Sequence, residues 1–165
     1  MRSEMTMIVM PNHTNHLGTC FGGTIMSWID IVAAIAAQKL VGTVVTASVD
    51  QIQFKRPIRV GDLVTLKAGV NRVWNTSMEV GVNVSVQSPE VRTDKNGEKY
   101  TDWGMEFHAC TAYLTFVAIN QNGQRRSVSE SDNQVYNKAI VDIKWENRWH
   151  SADDRRERRL EERNK

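Results

Sequence analysis

Asn15-His16-Leu17-Gly18-Thr19-Cys20-Phe21-Gly22-Gly23-Thr24-Ile25-Met26-Ser27-Trp28-Ile29-Asp30 opens as a polar loop, passes through a Gly-Gly pair and becomes an apolar helix. The helix reads GTIMSWIDIVAAIAAQKL from Gly23 to Leu40 and carries one carboxylate, Asp30, about two turns in. It lacks a polar face, so it belongs in the middle of a fold. An ionised side chain in such a place costs several kcal/mol unless it is paired or solvated, and Asp30 therefore calls for a functional explanation.

Around that helix the remaining segments alternate as strands do. Glu4 to Met10 is a short run with a β-branched and methionine bias, ended by Pro11, and reads as a first strand. Asn12 to Gly22 is loop. Gly42 caps the helix, and Val44 to Phe54 (VVTASVDQIQF) reads as strand two. Lys55-Arg56-Pro57 and Val60-Gly61-Asp62 punctuate a turn before Leu63 to Trp74, whose apolar positions alternate with one slip. Asn75-Thr76 turns the chain into Met78 to Val86, where Val80, Val82, Val84 and Val86 alternate cleanly. Pro89 to Asp102 is a polar excursion with Asn96-Gly97 at a hairpin turn, and Met105 to Ile119 is the last long strand, ended by Asn122-Gly123.

One strand, one buried helix and four long strands with short connections predict an antiparallel α+β domain. A single sheet cannot hide every face of the helix, so a second subunit is expected to cover the rest. After Gly123 the composition changes, and residues 124–165 read as a charged, partly helical tail appended to a domain of residues 1–123. Trp145 and Trp149 share one helical face and are candidates to dock that tail. Asp153 to Lys165 holds six basic and five acidic residues around Leu160 and reads as a solvated or frayed helix, with phosphate binding by its arginines the lesser reading.

The 165 residues suffice for one domain with a real core. With 21 basic and 19 acidic residues the chain has no global field pointing to nucleic acid or a membrane surface. Cys20 and Cys110 form no disulfide framework and no zinc spacing, which points to a reducing compartment and a cytoplasmic location. The N-terminal apolar run is too short for a signal peptide, and Ile31 to Ala37 is far too short an uninterrupted run for a membrane span.

Several residues could carry chemistry. Gly22 and Gly23 sit where the helix begins, and glycines there admit a ligand to N–H groups bearing the helix's partial positive charge. Close packing of the loop would explain the pair equally well. Asn15 and His16 are loop residues able to hold a water or a carbonyl, or simply to form a turn. His13 and His16 lack a third ligand, so no metal site is expected. Cys110 lies within a strand as a buried thiol, and Ser27 lacks a nucleophile elbow.

The segments MPNHTNHLGTCFGGTIMSWID, VTASVDQIQFKRPIRVGDLVTL, TSMEVGVNV and TAYLTFVAIN together resemble the hotdog-fold acyl-CoA thioesterases, closest to the cytosolic acyl-CoA hydrolase group and its bacterial single-domain relatives. The resemblance spans about Met5 to Asn120. It implies a long helix wrapped by a five-stranded antiparallel sheet, dimers with a continuous sheet assembled as trimers of dimers, and hydrolysis of fatty acyl-CoA to free acid and CoA without a further cofactor. It also implies that Asp30 of one subunit faces Asn15 of the other. On this reading the Gly23 N–H polarises the thioester carbonyl and Asp30 acts as general base or as nucleophile. His16, Gly22, Thr76 and Ser77 line the site, while Lys55 and Arg56 contact CoA phosphates, with Arg59 and Arg72 as rivals. His16 with Asp30 also parallels the acid and histidine of hotdog dehydratases, although their glutamate and proline-rich loop are missing here. A third reading is a non-catalytic acyl-CoA sensor, for which the mixed-charge tail would be a poor nucleic-acid-binding segment.

Overall fold

The computed structural model describes residues 1–50, 52, 54–139 and 143–163. Its elements are β1 (Arg2–Ile8), a single 3-10 turn at Pro11–His13, α1 (Gly22–Val41), β2 (Val44–Val49), β3 (Leu63–Val73), β4 (Ser77–Gln87), β5 (Pro89–Thr93), β6 (Lys99–Trp103), β7 (Phe107–Ala118), α2 (Glu130–Ala139) and α3 (Ile143–Arg163). Five strands form one antiparallel sheet in the order β1-β3-β4-β7-β2, and β5 and β6 pair as a separate hairpin. The expected α+β architecture, one long helix against a five-stranded antiparallel sheet, is the one observed.

Helix α1 lies on the inner face of that sheet. Ile25, Trp28, Ile29, Val32, Ala33, Ala36, Ala37, Leu40 and Val41 are buried, the three-and-four spacing of a helical stripe. They meet Val64, Leu66, Ala68 and Val70 of β3, the Met78–Val86 alternation of β4, and Ala112, Leu114, Phe116 and Ala118 of β7. Each large aliphatic side chain buried there contributes about 1.5–3 kcal/mol. Gly42 ends the helix at φ 75°, a conformation that suits glycine, and its N–H bonds the Gln38 carbonyl. By length and composition α1 could cross a membrane, but its burial against the sheet makes it the core helix of this fold.

Three expectations need correcting. Strand one runs from Arg2 to Ile8 rather than Glu4 to Met10, because its partner β3 begins opposite Ile8 at Leu63. Strand two stops at Val49 instead of Phe54, and residues 51 and 53 of that stretch lie outside the described residues. The slip in the third strand's alternation is a register shift between Val70 and Arg72.

The third correction concerns the tail, which is not a solvated helix. α3 packs on the outer face of the sheet, where Arg155 makes two hydrogen bonds to Glu79 at 2.9 and 2.6 Å and stacks 3.7 Å over the Tyr113 ring. Arg159 reaches both oxygens of Asp50 at 2.9 and 2.8 Å, and Asp153 accepts from Arg72 and from the Trp74 indole. Composition cannot reveal this, because balanced charges read as solvated until their partners on another element are known. The side chains of Trp145 and Trp149 lie outside the described residues.

Candidate active site

α1 leaves one stripe uncovered by its own sheet. Met26, Ile31 and Ile35 are 45%, 46% and 39% exposed, and half-buried Asp30 lies among them. Gly23, Ser27 and Asp30 follow one another along this stripe, since seven residues are nearly two full turns. The carboxylate is therefore not in the core of one chain; it faces outward from an apolar stripe. Its Oδ1 accepts a hydrogen bond from Thr46 Oγ1 of β2 at 2.7 Å.

The helix begins without a side-chain cap. Phe21 is the N-cap, its carbonyl takes the N–H groups of Thr24 and Ile25, and the N–H groups of Gly22 and Gly23 have no partner among the described residues. A Cβ at Gly23 would meet nothing within 4 Å, whereas one at Gly22 would lie 3.5 Å from the Phe54 ring. Open space at Gly23, beside an N–H group with no partner among the described residues, is suited to an oxygen carrying partial negative charge.

The loop before the helix is held rigidly. Asn15 Oδ1 accepts from the N–H groups of Leu17 and Thr19 at 2.9 and 3.3 Å, and its Nδ2 donates to Thr19 Oγ1 at 2.9 Å. Within one chain Asn15 thus does turn chemistry. Cys20 N–H bonds the Ile58 carbonyl at 2.7 Å and Thr19 bridges to Arg59, so the loop is fastened to the segment that follows strand two. His16 is exposed at the loop tip beside Leu17. His13 accepts the Met10 N–H on Nδ1 and meets Trp28 edge-on at 5.1 Å between ring centroids.

The remaining candidates divide by position. Lys55 and Arg56 are exposed and directly follow Phe54, which brings them to the start of α1; the Arg56 guanidinium lies 5.2 Å from the Phe107 ring centroid. Thr76 and Ser77 occupy the β3–β4 turn, next to Val117 and Ala118, at the end of the sheet where α1 finishes. One chain therefore does not bring them to Gly22 and Gly23. Arg72 is on the outer face with Asp153, and Arg59 N–H bonds Asp62. The tail arginines Arg155 and Arg159, with Arg158, line a cavity of about 650 Å³ beside Ser48, Asp50 and Tyr113, on the side of β2 away from Asp30.

Thr46 was missed from the sequence. It lies in a run of alternating small and β-branched residues, and nothing local distinguishes it from Ser48. Only the pairing shows that Thr46, opposite Phe116, faces the helix, whereas Ser48, opposite Thr115, faces away.

In this chain a long helix is cradled by an antiparallel sheet, with a carboxylate on its open stripe and, among the described residues, unpaired N–H groups at its start. A family model described as the thioesterase superfamily matches residues 17–93. An acyl-CoA thioester hydrolase of Haemophilus influenzae is 36% identical over 135 residues, covering 81% of this chain and 82% of that protein. Mouse acyl-coenzyme A thioesterase 11 is 41% identical over 116 residues, covering 70% of this chain, which spans 18% of the mouse protein's length. Among solved structures, the acyl-CoA hydrolase of Staphylococcus aureus in complex with butyryl coenzyme A superimposes with a TM-score of 0.69 at 32% identity, covering 99% of this chain and 91% of that one. The hexameric hotdog fold thioesterase of Campylobacter jejuni gives 0.65 at 34% identity, covering 79% and 92%. The chain belongs to the acyl-CoA thioester hydrolases of the thioesterase superfamily.

Proposed function

We propose that this chain hydrolyses fatty acyl-CoA to free fatty acid and CoA, in a homo-oligomer whose working site is shared between two copies. The observation that carries this reading is Asp30, a carboxylate held, among the described residues, by one hydrogen bond on an apolar helix stripe that one chain leaves open. The thioester carbonyl oxygen takes the N–H of Gly23, with Gly22 and His16 beside it. Asp30 removes a proton from water as the water oxygen attacks the carbonyl carbon. The tetrahedral intermediate then collapses, the C–S bond breaks, and the CoA sulfur leaves and is protonated. Donors at such an oxygen contribute on the order of 10²–10³ in rate, and a general base about 10²–10⁴. Direct attack by Asp30 to form an anhydride would use the same positions.

Helix geometry supports the sharing. Gly23 and Asp30 are separated by seven residues, about 10 Å along one axis, too far to work on one carbonyl within a single helix. A second α1 lying antiparallel brings one chain's Asp30 toward the other's Gly23 and Asn15, and would also cover Met26, Ile31 and Ile35. β2 is an edge strand, available to continue the sheet into the second copy. Solved S. aureus variants with an asparagine and an aspartate replaced singly by alanine carry those residues fifteen positions apart, the separation of Asn15 and Asp30. Relatives described as hexameric support a trimer of such dimers.

On this reading Thr76 and Ser77 reach the site from the partner's end of the sheet, and Lys55 and Arg56 hold CoA phosphates. No cofactor is required beyond the CoA of substrate and product. The free cysteines fit a reducing, cytoplasmic setting. The test is release of free thiol from short, medium and long acyl-CoAs by the purified protein. Release that saturates with substrate is expected; no release from any chain length would overturn the proposal and leave a binding protein.

A further inference from the structure

The tail helix α3 grips the end of β2, the strand that leads toward the start of α1. In β2 the register shifts between Thr46 and Ser48, a bulge that turns Ser48 and Asp50 to the outer face of the sheet, where α3 lies. Val49 pairs with Leu114, and the Asp50 N–H then donates to the Tyr113 carbonyl at 2.9 Å. Among the described residues, the next backbone bond from this stretch to β7 is Lys55 N–H to the Ala109 carbonyl at 3.0 Å. Four positions after Asp50, the Phe54 ring lies 3.5 Å from where a Cβ on Gly22 would be. Two arginines of α3, about one helical turn apart, hold this strand end from outside. Arg159 Nη1 donates to both carboxylate oxygens of Asp50 at 2.9 and 2.8 Å, and Arg155 lies 3.7 Å over the Tyr113 ring. The Arg159–Asp50 pair is largely shielded from water, at 21% and 16% exposure. A cavity of about 650 Å³ lies beside it, lined by Ser48, Val49 and Arg158 as well as the paired residues. The helix therefore reaches β2 through the ion pair rather than through close-packed side chains.

We propose that Arg159 is a positioning residue for CoA binding: by fixing Asp50 it sets where the chain departs from β7, and so where Phe54, Lys55 and Arg56 stand at the start of α1. This rests on the hydrolase reading above, in which Lys55 and Arg56 hold CoA phosphates, and it gives the tail a part in that site. β2 is the edge of one chain's sheet, and the end of an edge strand frays unless something fastens it. A loose stretch must be ordered each time a ligand binds, and the lost freedom weakens binding. The ion pair orders it beforehand. The other anchors of α3, Arg155 to Glu79 and Asp153 to Arg72 and Trp74, lie on or beside β3 and β4, so they hold the helix without touching this stretch. Arg159 touches neither the substrate nor the reacting atoms. Its effect passes through Asp50 to the residues that follow.

Arg159→Met keeps the length of the side chain and removes its charge. The KM for acyl-CoA and the Kd for free CoA are expected to rise together about tenfold, the scale of one weakened hydrogen bond to a charged group, with kcat within about twofold. Arg159→Lys can still reach the carboxylate and is expected to recover most of the lost affinity. Asp50→Asn is expected to weaken binding in the same direction, and it stands in for the methionine variant should that one fail to assemble. Titration calorimetry reads CoA binding without turnover, at a temperature where melting curves and mass show each variant folded and assembled. Unchanged KM and Kd in the folded variants overturn the assignment, as does a fall in kcat at unchanged KM, or a lysine variant as impaired as the methionine one. The two readings fail separately. Wild type that binds CoA but hydrolyses no acyl-CoA overturns the hydrolase reading, whereas active wild type with unaltered CoA affinity in Arg159→Met overturns the Arg159 assignment alone.

Discussion

Cys110 and Asp30 show how differently two titratable groups fare in this fold. Asp30 lies on the open stripe and has a hydrogen-bond donor, whereas Cys110 is fully buried in β7, where burial pushes its thiol from 9.0 up to about 11. Burial also raises the Tyr136 hydroxyl, which donates to the Asn71 carbonyl at 2.6 Å. The sign follows directly. Below about pH 9 folded and unfolded chains both keep the thiol proton, and stability is unaffected. Between pH 9 and about 11 the unfolded chain releases it while the folded chain does not, so stability falls, by at most roughly 1.4 kcal/mol per pH unit for one such group. Tyr136 adds in the same direction at the upper end. Urea midpoints at neutral pH and near pH 10 are expected to show this fall, and Cys110→Ala is expected to reduce it. Asp30 was legible from sequence because its oddity is local: a charge amid aliphatic neighbours. Thr46 was not, because its meaning depends on a bulge and on a residue sixteen positions earlier.

The elements divide along similar lines. α1, β4 and β7 were readable because their apolar periods are long and their cores lie in one direction, so the pattern repeats through each segment. β5 and β6 carry no such pattern; every residue of β5 is exposed, and the polar excursion disclosed its turn but not its two short strands. α3 was the least legible, since its contribution lies in ion pairs with β3, β4 and the end of β2. Glu79 is fully buried on the sheet's outer face and Arg155 is 13% exposed, while Asn71 Nδ2 donates to the same carboxylate. Burial works against the Arg155 charge, and the hydrogen bonds and charge of Glu79 more than offset it. Removing one partner leaves the other charge buried and unpaired. Glu79→Ala is therefore expected to lower the unfolding free energy by about 3 kcal/mol, and Arg155→Met by a similar amount. Replacing both by apolar residues of similar volume should cost much less than the sum of the two. Denaturant unfolding of the three variants measures the coupling, and additive losses would show that α3 is not held through this pair.

At the scale of the molecule, the open stripe of α1 and the free edge of β2 are the two surfaces that the proposed second copy would cover and extend. Met26, Ile31 and Ile35 are exposed apolar side chains along α1, and Asp30 sits in their midst. If the site is shared, a variant lacking Asp30 and a variant lacking Asn15 are each inactive for a different reason, and a mixed dimer of the two contains one site with both residues intact and one with neither. Asp30→Ala and Asn15→Ala are therefore expected to lose activity singly, Asp30→Ala by at least on the order of 10². Mixing them under conditions of demonstrated subunit exchange should restore up to about half the wild-type activity per mixed dimer, because one of its two sites is whole. Asn15→Ala also removes the hydrogen bonds that close its loop, so its melting temperature and oligomer mass are needed alongside. Restoration cannot arise from a site contained in one chain, since each chain in the mixture would still lack one of the two residues. Continued inactivity of well-folded, fully exchanged mixtures would place Asp30 and Asn15 in the same chain's site, and would leave the apolar stripe as a packing surface with no part in the chemistry.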